Sequence, residues 1–291
     1  MEQLGLEGMP VRLFSCTPSR LTSWQDCPHR YRLTYLARPA PARGPASAHL
    51  TLGAVVHLAL ARFWDLPVQD RSAAAARRLV VSAWQPDGFA DAGQAARWRE
   101  RAADMVAAYV QDLDPTDEPA GVERTVAFKS STLAVSGRVD RVDRRGDEVV
   151  VVDYKTGRRP STQDDARGSL ALALYALGCA RTFRTSCVTV ELHHVPTGQV
   201  ASHTHTEASL ERHLRRAEGL AAQVQAATAA LEAGGDPDEL FPPRPSSLCS
   251  WCDVARHCPQ GALVAPSRPW DGLPAERSPC LPRSVRPLPG S

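Results

Sequence analysis

The amino-acid sequence predicts an α/β fold with a mixed central sheet and a helical N-terminal lobe. Three observations support this fold class. The first third of the chain carries helix start signals and amphipathic patterns, whereas residues 121–156 alternate or run apolar as strands do. A helical pattern then returns, and two further strand patterns and a long helix follow it.

The individual elements can be assigned in order along the chain. Thr17 and Cys27 are predicted N-caps, because a proline follows each of them at the first helical position. The other predicted elements are helices over 52–64, 71–85 and 93–113, strands over 121–130, 132–145 and 147–156, a helix over 168–182, strands over 186–195 and 199–207, and a helix over 208–232. Residues 145–147 predict the hairpin turn between the second and third strands.

The composition limits the class of protein. With 291 residues, 43% of them hydrophobic, the chain is long enough for one large domain or two ordinary ones. Its start has no signal-peptide pattern and no apolar stretch is long enough to span a bilayer, so we predict a cytoplasmic location without a membrane partner. Thiols stay reduced there, and the eight cysteines are therefore expected to be free or metal-bound. No Walker-type glycine-rich loop is present, which excludes ATPase and helicase activity in this chain.

The charge distribution is more informative than the formal net charge of +2. Between residues 10 and 45 there are six arginines against a single acid, Asp26. Such a run is typical of a solvated face, but it also fits a phosphate-binding surface. On the second interpretation, Arg20, Arg30 and Arg32 are candidate DNA contacts.

A carboxylate–lysine motif stands at the end of the valine run in residues 149–157. Side chains alternate along a strand, so Asp153 and Lys155 share a face, and the hairpin places Asp140 near Asp153. Two carboxylates on adjacent strands can bind a hard divalent cation. A compact ammonium beside them suits chemistry at a phosphate better than the planar fork of an arginine. The alternative is a surface ion pair between Asp153 and Lys155.

Three motifs in sequence order resemble the RecB-like branch of the PD-(D/E)XK nucleases. They are Gly53-Ala-Val-Val-His57, Gly137-Arg-Val-Asp140 and Asp153-Tyr-Lys-Thr-Gly157. The resemblance implies a restriction-endonuclease-like mixed sheet flanked by helices. It also implies that His57, Asp140 and Asp153 bind Mg²⁺ or Mn²⁺, and that Asp140, Asp153 and Lys155 are catalytic. Glu123 matches an upstream metal-binding glutamate of that branch more loosely.

One position departs from the pattern of that branch. Its helix after the lysine commonly carries Q-x-x-x-Y, and this chain has Ala171 in place of the glutamine while keeping Tyr175 as a candidate DNA contact. The substitution favours an alternative function, a catalytically weak DNA-binding or scaffold subunit of the same fold. The presence of the other motif residues favours an active enzyme.

Cysteines near the C-terminus form a second candidate site. Cys249, Cys252 and Cys258 supply three thiolates, and a tetrahedral site could take His257 or the distant Cys27 as its fourth ligand. The sequences "CPHRY" and "LCSWCDVARHCP" resemble the AddB-type and CRISPR-adaptation nucleases, in which one N-terminal and three C-terminal cysteines hold a 4Fe-4S cluster. That resemblance implies a cluster on Cys27, Cys249, Cys252 and Cys258. A Zn²⁺ site and unligated thiols remain the alternatives.

The resemblance also implies a domain division and a function. We expect an N-terminal extension over 1–14, a nuclease domain over 15–262 and a disordered, Pro- and Arg-rich tail over 263–291. Within the domain we expect a helical lobe over about 15–115, a catalytic core over about 120–235 and a cluster-binding segment over 241–262. The implied function is a DNA nuclease of repair or recombination, an exonuclease on single-stranded ends or flaps, with a helicase or repair protein as its partner.

The histidines of "ELHHV" and "SHTHT" are expected at the surface.

Overall fold

A computed structural model describes residues 13–44 and 46–264, which form helices packed on a six-stranded sheet. The strands are β1 (Phe14–Cys16), β2 (Gly121–Lys129), β3 (Leu133–Arg145), β4 (Glu148–Lys155), β5 (Thr189–His194) and β6 (Gln199–Thr204). The helices are α1 (Pro18–Asp26), α2 (Pro28–Tyr31), α3 (Ala48–Trp64), α4 (Ala73–Ala83), α5 (Ala92–Gln111), α6 (Gln163–Gly168), α7 (Leu170–Phe183), α8 (Glu207–Glu232), α9 (Pro237–Leu240) and α10 (Pro259–Val264). None of these helices combines the length and apolar character needed to cross a bilayer.

The sheet is mixed, as the sequence predicts. Its order is β1-β3-β4-β5-β6, and β2 pairs with β3 along the other side of that long strand. The pairs β1–β3 and β4–β5 are parallel, whereas β2–β3, β3–β4 and β5–β6 are antiparallel. The predicted α/β fold with a mixed sheet and an N-terminal helical lobe is confirmed.

Two hydrophobic cores cover the two faces of β4. Val150, Val152 and Tyr154 pack with the α3–α5 lobe, while Val149 and Val151 pack with α7. The valine run alternates between these cores, because successive side chains of a strand point to opposite faces. A buried run of this kind fixes the register of β4, and with it the position of the motif that follows.

The N-terminal segment packs on the C-terminal part of the chain. Trp24 and Tyr31 form a core with Val224 of α8 and Phe241, and the Trp24 indole N–H donates to Gln223 Oε1 at 3.2 Å. Both predicted caps form: the side chain of Thr17 caps α1 and that of Cys27 caps α2, each by accepting a hydrogen bond from a backbone N–H. The fold therefore brings Cys27 to the region of the C-terminal cysteines.

Some expectations need correction or fall outside the described residues. His193, His194 and His205 are buried, not at the surface. The sequence predictions also lack β1 and α6. Helix α10 continues to Val264, two residues into the predicted disordered tail. The rest of that tail, from residue 265, lies outside the described residues. The predicted N-terminal extension does so as well, up to residue 12.

Candidate active site

The two carboxylates of the predicted site lie where β3 and β4 separate. The backbone ladder between these strands ends at the pair Arg141–Val152, one residue before Asp140 would meet Asp153. Beyond that point the Tyr154 N–H donates to Asp140 Oδ2 at 2.9 Å, while β4 stays paired with β5 as far as Lys155. The side chain of Asp140 thus replaces a ladder bond, and the separation opens one end of a cleft.

Helix α3 brings His57 to this cleft. A Cβ on Gly53 would lie 3.3 Å from Thr156 Oγ1, so the glycine lets the helix approach the end of β4 closely. One turn later His57 Nδ1 lies 3.2 Å from Asp140 Oδ1, and its ring meets the ring of Tyr154 edge-on at 5.9 Å. The G-x-x-x-H spacing therefore has a geometric reason. The glycine allows the helix to contact the end of β4, and one turn later the histidine is a potential metal ligand.

Glu123 completes a compact group of potential ligands. It lies between the pairs Val122–Arg141 and Arg124–Val139 of the β2–β3 ladder, and its φ of 47° is unusual for a residue other than glycine within a strand. Left-handed residues of this kind collect at functional sites, where surrounding structure holds them. One ligand atom each of His57, Glu123 and Asp140 lie within 4.8 Å of one another. A nitrogen and two carboxylate oxygens suit Mg²⁺ or Mn²⁺.

Asp153 and Lys155 form an ion pair beside that group. Lys155 Nζ lies 2.6 Å from Asp153 Oδ2, and the lysine side chain is 44% exposed while that of the aspartate is 21% exposed. Asp153 does not belong to the three-residue group, although its charge acts on His57. The structure therefore brings all five predicted residues to one place, with Asp153 bound to the lysine.

The electrostatics of the site favour a cation. Burial raises the pKa of Asp153. The charge of Lys155 lowers this pKa and the charge of Asp140 raises it further, so the net shift is upward. Burial likewise raises the pKa of Glu123 against the charge of Arg138. Burial opposes protonation of His57, but its hydrogen bond to Asp140 and the charges of Asp140 and Asp153 outweigh this and raise its pKa. A divalent ion bound here would add positive charge that favours the ionised form of these carboxylates.

Tyr175 of α7 lies over the same two strands. A Cβ on Gly137 would come within 2.6 Å of Tyr175 Cε1, so the glycine of the G-x-x-D motif makes room for this ring. Burial, together with the charges of Asp153 and Asp140, raises the pKa of Tyr175 to about 12. Ala171 lies one turn before it on the helix. Tyr175 is therefore placed at the carboxylates, and its contact with DNA stays a prediction.

The cleft has a volume of about 670 Å³ and is open to solvent at the metal-ligand group. His57, Glu123 and Lys155 line it together with Arg138, whose Nε lies 2.6 Å from Glu123 Oε2. Arg138 was not among the predicted site residues. Its signal was available, since it lies within the Gly137–Asp140 motif, two residues before the carboxylate and on the same face of the strand.

The four predicted cluster cysteines line one cavity between α2 and the C-terminal turns. Backbone N–H groups point at their sulfurs: Arg244 N lies 3.4 Å from Cys27 Sγ and Gly261 N lies 3.3 Å from Cys258 Sγ. His257, the alternative fourth ligand, instead bonds through Nε2 to the carbonyl of Ala42 at 2.9 Å. The cavity thus holds thiols from both ends of the chain.

The spacing of these sulfurs bears on the ligand. Zn–S bonds of about 2.3 Å in a tetrahedral site hold sulfurs about 3.8 Å apart. Among the residues that the structure describes, no three of the four sulfurs come within 4.8 Å of one another. The sulfurs are therefore spread more widely than in a closed tetrahedral zinc site.

The basic N-terminal residues have intramolecular partners. Arg20 donates to the Tyr31 hydroxyl at 2.8 Å and its guanidinium lies over three aromatic rings. Arg30 pairs with Asp253 at 3.4 Å, and Arg32 pairs with Asp238 at 3.3 Å. Acids from the C-terminal part of the chain thus pair with two of these three candidate contacts. A role of these arginines in phosphate binding stays a prediction.

Comparison with known proteins gives this geometry a family. A sequence profile described as the PD-(D/E)XK nuclease superfamily matches residues 15–259. The chain belongs to this superfamily. Its members are phosphodiester hydrolases that use divalent metal ions, and the mixed sheet flanked by helices is their restriction-endonuclease-like fold.

The chain was also compared with solved structures and with curated protein sequences. The chain is similar in structure to a candidate exonuclease from Eubacterium rectale, with 11% sequence identity, 89% of this chain and 94% of the other covered, and a TM-score of 0.48. Among curated protein sequences no match to this chain was found.

Proposed function

We propose that this superfamily member is a metal-dependent DNA nuclease of the RecB-like branch that cleaves single-stranded ends or flaps during repair or recombination. One observation carries the proposal: His57, Glu123 and Asp140 lie within 4.8 Å of one another, in the cleft that also presents Lys155. The open cleft leaves room for a phosphate of a nucleic-acid backbone at this group. The proposal includes a cytoplasmic location and a helicase or repair protein as a partner.

Each side chain has a distinct part in this proposal. His57, Asp140, Asp153 and Glu123 would hold Mg²⁺ or Mn²⁺, which supplies Lewis acidity at the phosphate when bound. Asp153 orients the ammonium of Lys155 through their ion pair. Lys155 then offsets the negative charge that develops on the phosphate oxygens in the transition state. Arg138, 70% exposed at the rim of the cleft, can contact a neighbouring phosphate.

A cleavage assay tests this function. End-labelled single- and double-stranded DNA is incubated with the wild type in Mn²⁺ or EDTA, and with Asp140→Ala and Lys155→Arg in Mn²⁺. We expect cleavage of the single strand in Mn²⁺, none in EDTA, and a rate lower by about a hundredfold or more in either variant. Asp140→Ala removes a proposed metal ligand, whereas Lys155→Arg replaces the compact ammonium by a bulkier planar group that cannot occupy the same point.

The matched control is Asp164→Ala, which removes a carboxylate that is 80% exposed on α6. It should cleave as the wild type does. Equal rates in Lys155→Arg would leave Lys155 as only an ion-pair partner. Tight DNA binding without cleavage by the wild type would favour the DNA-binding scaffold that Ala171 suggests.

We further propose that Cys27, Cys249, Cys252 and Cys258 hold a 4Fe-4S cluster, with Zn²⁺ as the alternative. The support is the shared cavity and the N–H groups directed at the thiols. Hydrogen bonds of this kind to cluster sulfurs are a normal means by which proteins tune such centres. Because Cys27 is 222 residues from Cys249, the nearest of the other three cysteines, a shared cluster would join distant parts of the chain and contribute to folding.

Anaerobic purification tests the cluster. The wild type should be brown and contain iron and acid-labile sulfide in equal amounts, because thiolates hold this cluster type. Cys27→Ser should lose the colour as fully as Cys252→Ser does, whereas Cys280→Ser, at a position outside the described residues, should keep it. A colourless wild type containing one zinc per chain would replace the cluster with a structural zinc.

A further inference from the structure

Helix α3 presents two parallel rows of residues to the active-site cleft. Gly53, His57 and Ala61 form an inner row that is half-buried, and Leu50, Ala54 and Leu58 form an outer row that is exposed. Within each row the spacing is four residues, so each row lies along one side of the helix. All six residues line the cleft. We call the outer row the α3 ridge.

The α3 ridge is apolar although it faces solvent. Leu50 is 59% exposed and Leu58 is 42% exposed, which places both among the large exposed hydrophobic side chains of the described residues. Single exposed leucines are ordinary, but two of them on one side of a helix beside a catalytic cleft form a continuous apolar wall. This wall has no partner within the described part of the chain that would cover it.

The ridge is continuous with the metal-ligand group. Ala54 and His57 are three residues apart, a spacing that puts Cβ atoms about 5–6 Å from each other on a helix. Arg138 and Lys155, the cations of the cleft, line it together with the ridge. The cleft therefore offers positive charge for a phosphate backbone and, beside it, an apolar wall for the bases that the backbone carries.

We propose that the α3 ridge contacts the faces of unpaired bases in the DNA strand whose phosphate lies at the His57–Asp140 group. This inference rests on the proposed nuclease function and names its specificity-determining residues. In a duplex the base faces are stacked on neighbouring pairs and cannot reach an apolar wall. Unpaired bases expose them, so contact with Leu50 and Leu58 selects a single strand without reading its sequence, as stacking surfaces in other single-strand binders do.

Oligonucleotide binding without cleavage tests the ridge. The probes are a fluorescent single strand and an abasic strand of equal length and charge, with Ca²⁺ in place of Mg²⁺. The wild type should bind the strand with bases about tenfold more tightly than the abasic strand, from burial of apolar surface on both leucines. Leu50→Ala/Leu58→Ala should lose most of this preference and keep its salt dependence, because the phosphate contacts remain.

The matched control is Val81→Ala/Val200→Ala, which truncates two side chains that are 43% and 49% exposed and lie outside the cleft. It should keep the full preference. A wild type that cleaves DNA but binds both strands equally overturns the role of the ridge and leaves the nuclease function standing. A wild type that binds neither strand overturns both. A preference that survives in Leu50→Ala/Leu58→Ala assigns base contact to other residues and also overturns the proposal.

Discussion

Two groups of charged residues next to β4 respond to burial in opposite ways. The active-site group gathers carboxylates whose pKa values are raised, at Asp153 and Glu123. The second group lies under the α3–α5 lobe and contains a carboxylate whose pKa is lowered. It consists of Tyr109, Arg141, Asp143, Arg145, Tyr154, Glu191 and His193.

The second group is a fully partnered network. Arg145 forms a bidentate pair with Glu191 at 2.6 and 2.8 Å, His193 Nε2 lies 2.9 Å from the same carboxylate, and the Tyr109 hydroxyl lies 2.8 Å from His193 Nδ1. Burial by itself would raise the pKa of Glu191, but the hydrogen bonds from His193 and Arg145 and their charges lower it to about 2. Both oxygens of this carboxylate are paired.

The difference between the groups lies in the supply of positive charge. Each acid of the network has two basic partners. Glu123, Asp140 and Asp153 have one partner each, and two of these partners, Arg138 and Lys155, are 70% and 44% exposed. A protein that only needed stability would pair both groups equally well. The imbalance at the cleft is what a site for a divalent cation requires, and its location at a strand end leaves it open to substrate.

The largest effect on stability is expected from breaking the network. Glu191→Gln should lower the free energy of unfolding at pH 7 by about 3 kcal/mol, because Arg145 and His193 lose their buried counter-charge. The pKa of Glu191 is depressed, so its stabilisation is complete above the ordinary glutamate value and is lost as pH falls toward about 2. Urea unfolding at pH 7 and near pH 2 measures both.

Glu211→Gln serves as its control, since Glu211 pairs with Arg215 on the exposed side of α8. That variant should stay within about 0.5 kcal/mol of the wild type. A difference for Glu191→Gln that is the same at both pH values would contradict the network as described.

The smaller effect has the opposite sign and concerns the active site. Asp153→Asn should raise the free energy of unfolding of the metal-free protein at pH 7 by about 1 kcal/mol while abolishing cleavage. The folded-state pKa of Asp153 is raised, so its contribution favours the fold at low pH and is lost as pH rises through that pKa. At neutral pH the ionised group therefore destabilises the fold, and the neutral amide removes this cost.

Thermal unfolding in EDTA measures that change, with Asp164→Asn as the exposed control. An Asp153→Asn protein that melts below the wild type would show that the ion pair with Lys155 stabilises the fold by more than the burial of Asp153 and its repulsion by Asp140 destabilise it. The active-site group would then stabilise the fold as the Glu191 network does.

The central strands and the motif residues could be predicted from sequence because their signals are local. β2 and β4 match their predicted spans to within a residue or two, since alternation and a valine run define them. β1 was missed because three residues carry no periodicity, and it becomes a strand only by pairing with Leu133–Val135. α6 was missed for the same reason, since its six residues are too short for a helical pattern.

The charged residues show where sequence reasoning stops. Arg30 and Arg32 looked unpaired because Asp253 and Asp238 lie about two hundred residues away in the sequence. His193 looked exposed for a similar reason. Its partner Tyr109 comes from the distant helix α5, and its partner Glu191 stays ionised in the core because Arg145 pairs with it. Partner choice of this kind depends on tertiary structure and leaves no mark on local composition.

The packing of α1 against α8 has a consequence during synthesis. Trp24 finds its hydrogen-bond partner Gln223 only after 199 further residues have been added. At about 5–20 residues per second the indole of Trp24 waits roughly 10 to 40 s for this partner, whereas Leu21 of the same helix packs on β3 and α7 and can be covered earlier. Slowing translation should lengthen the exposure of Trp24 and of the neighbouring Cys27.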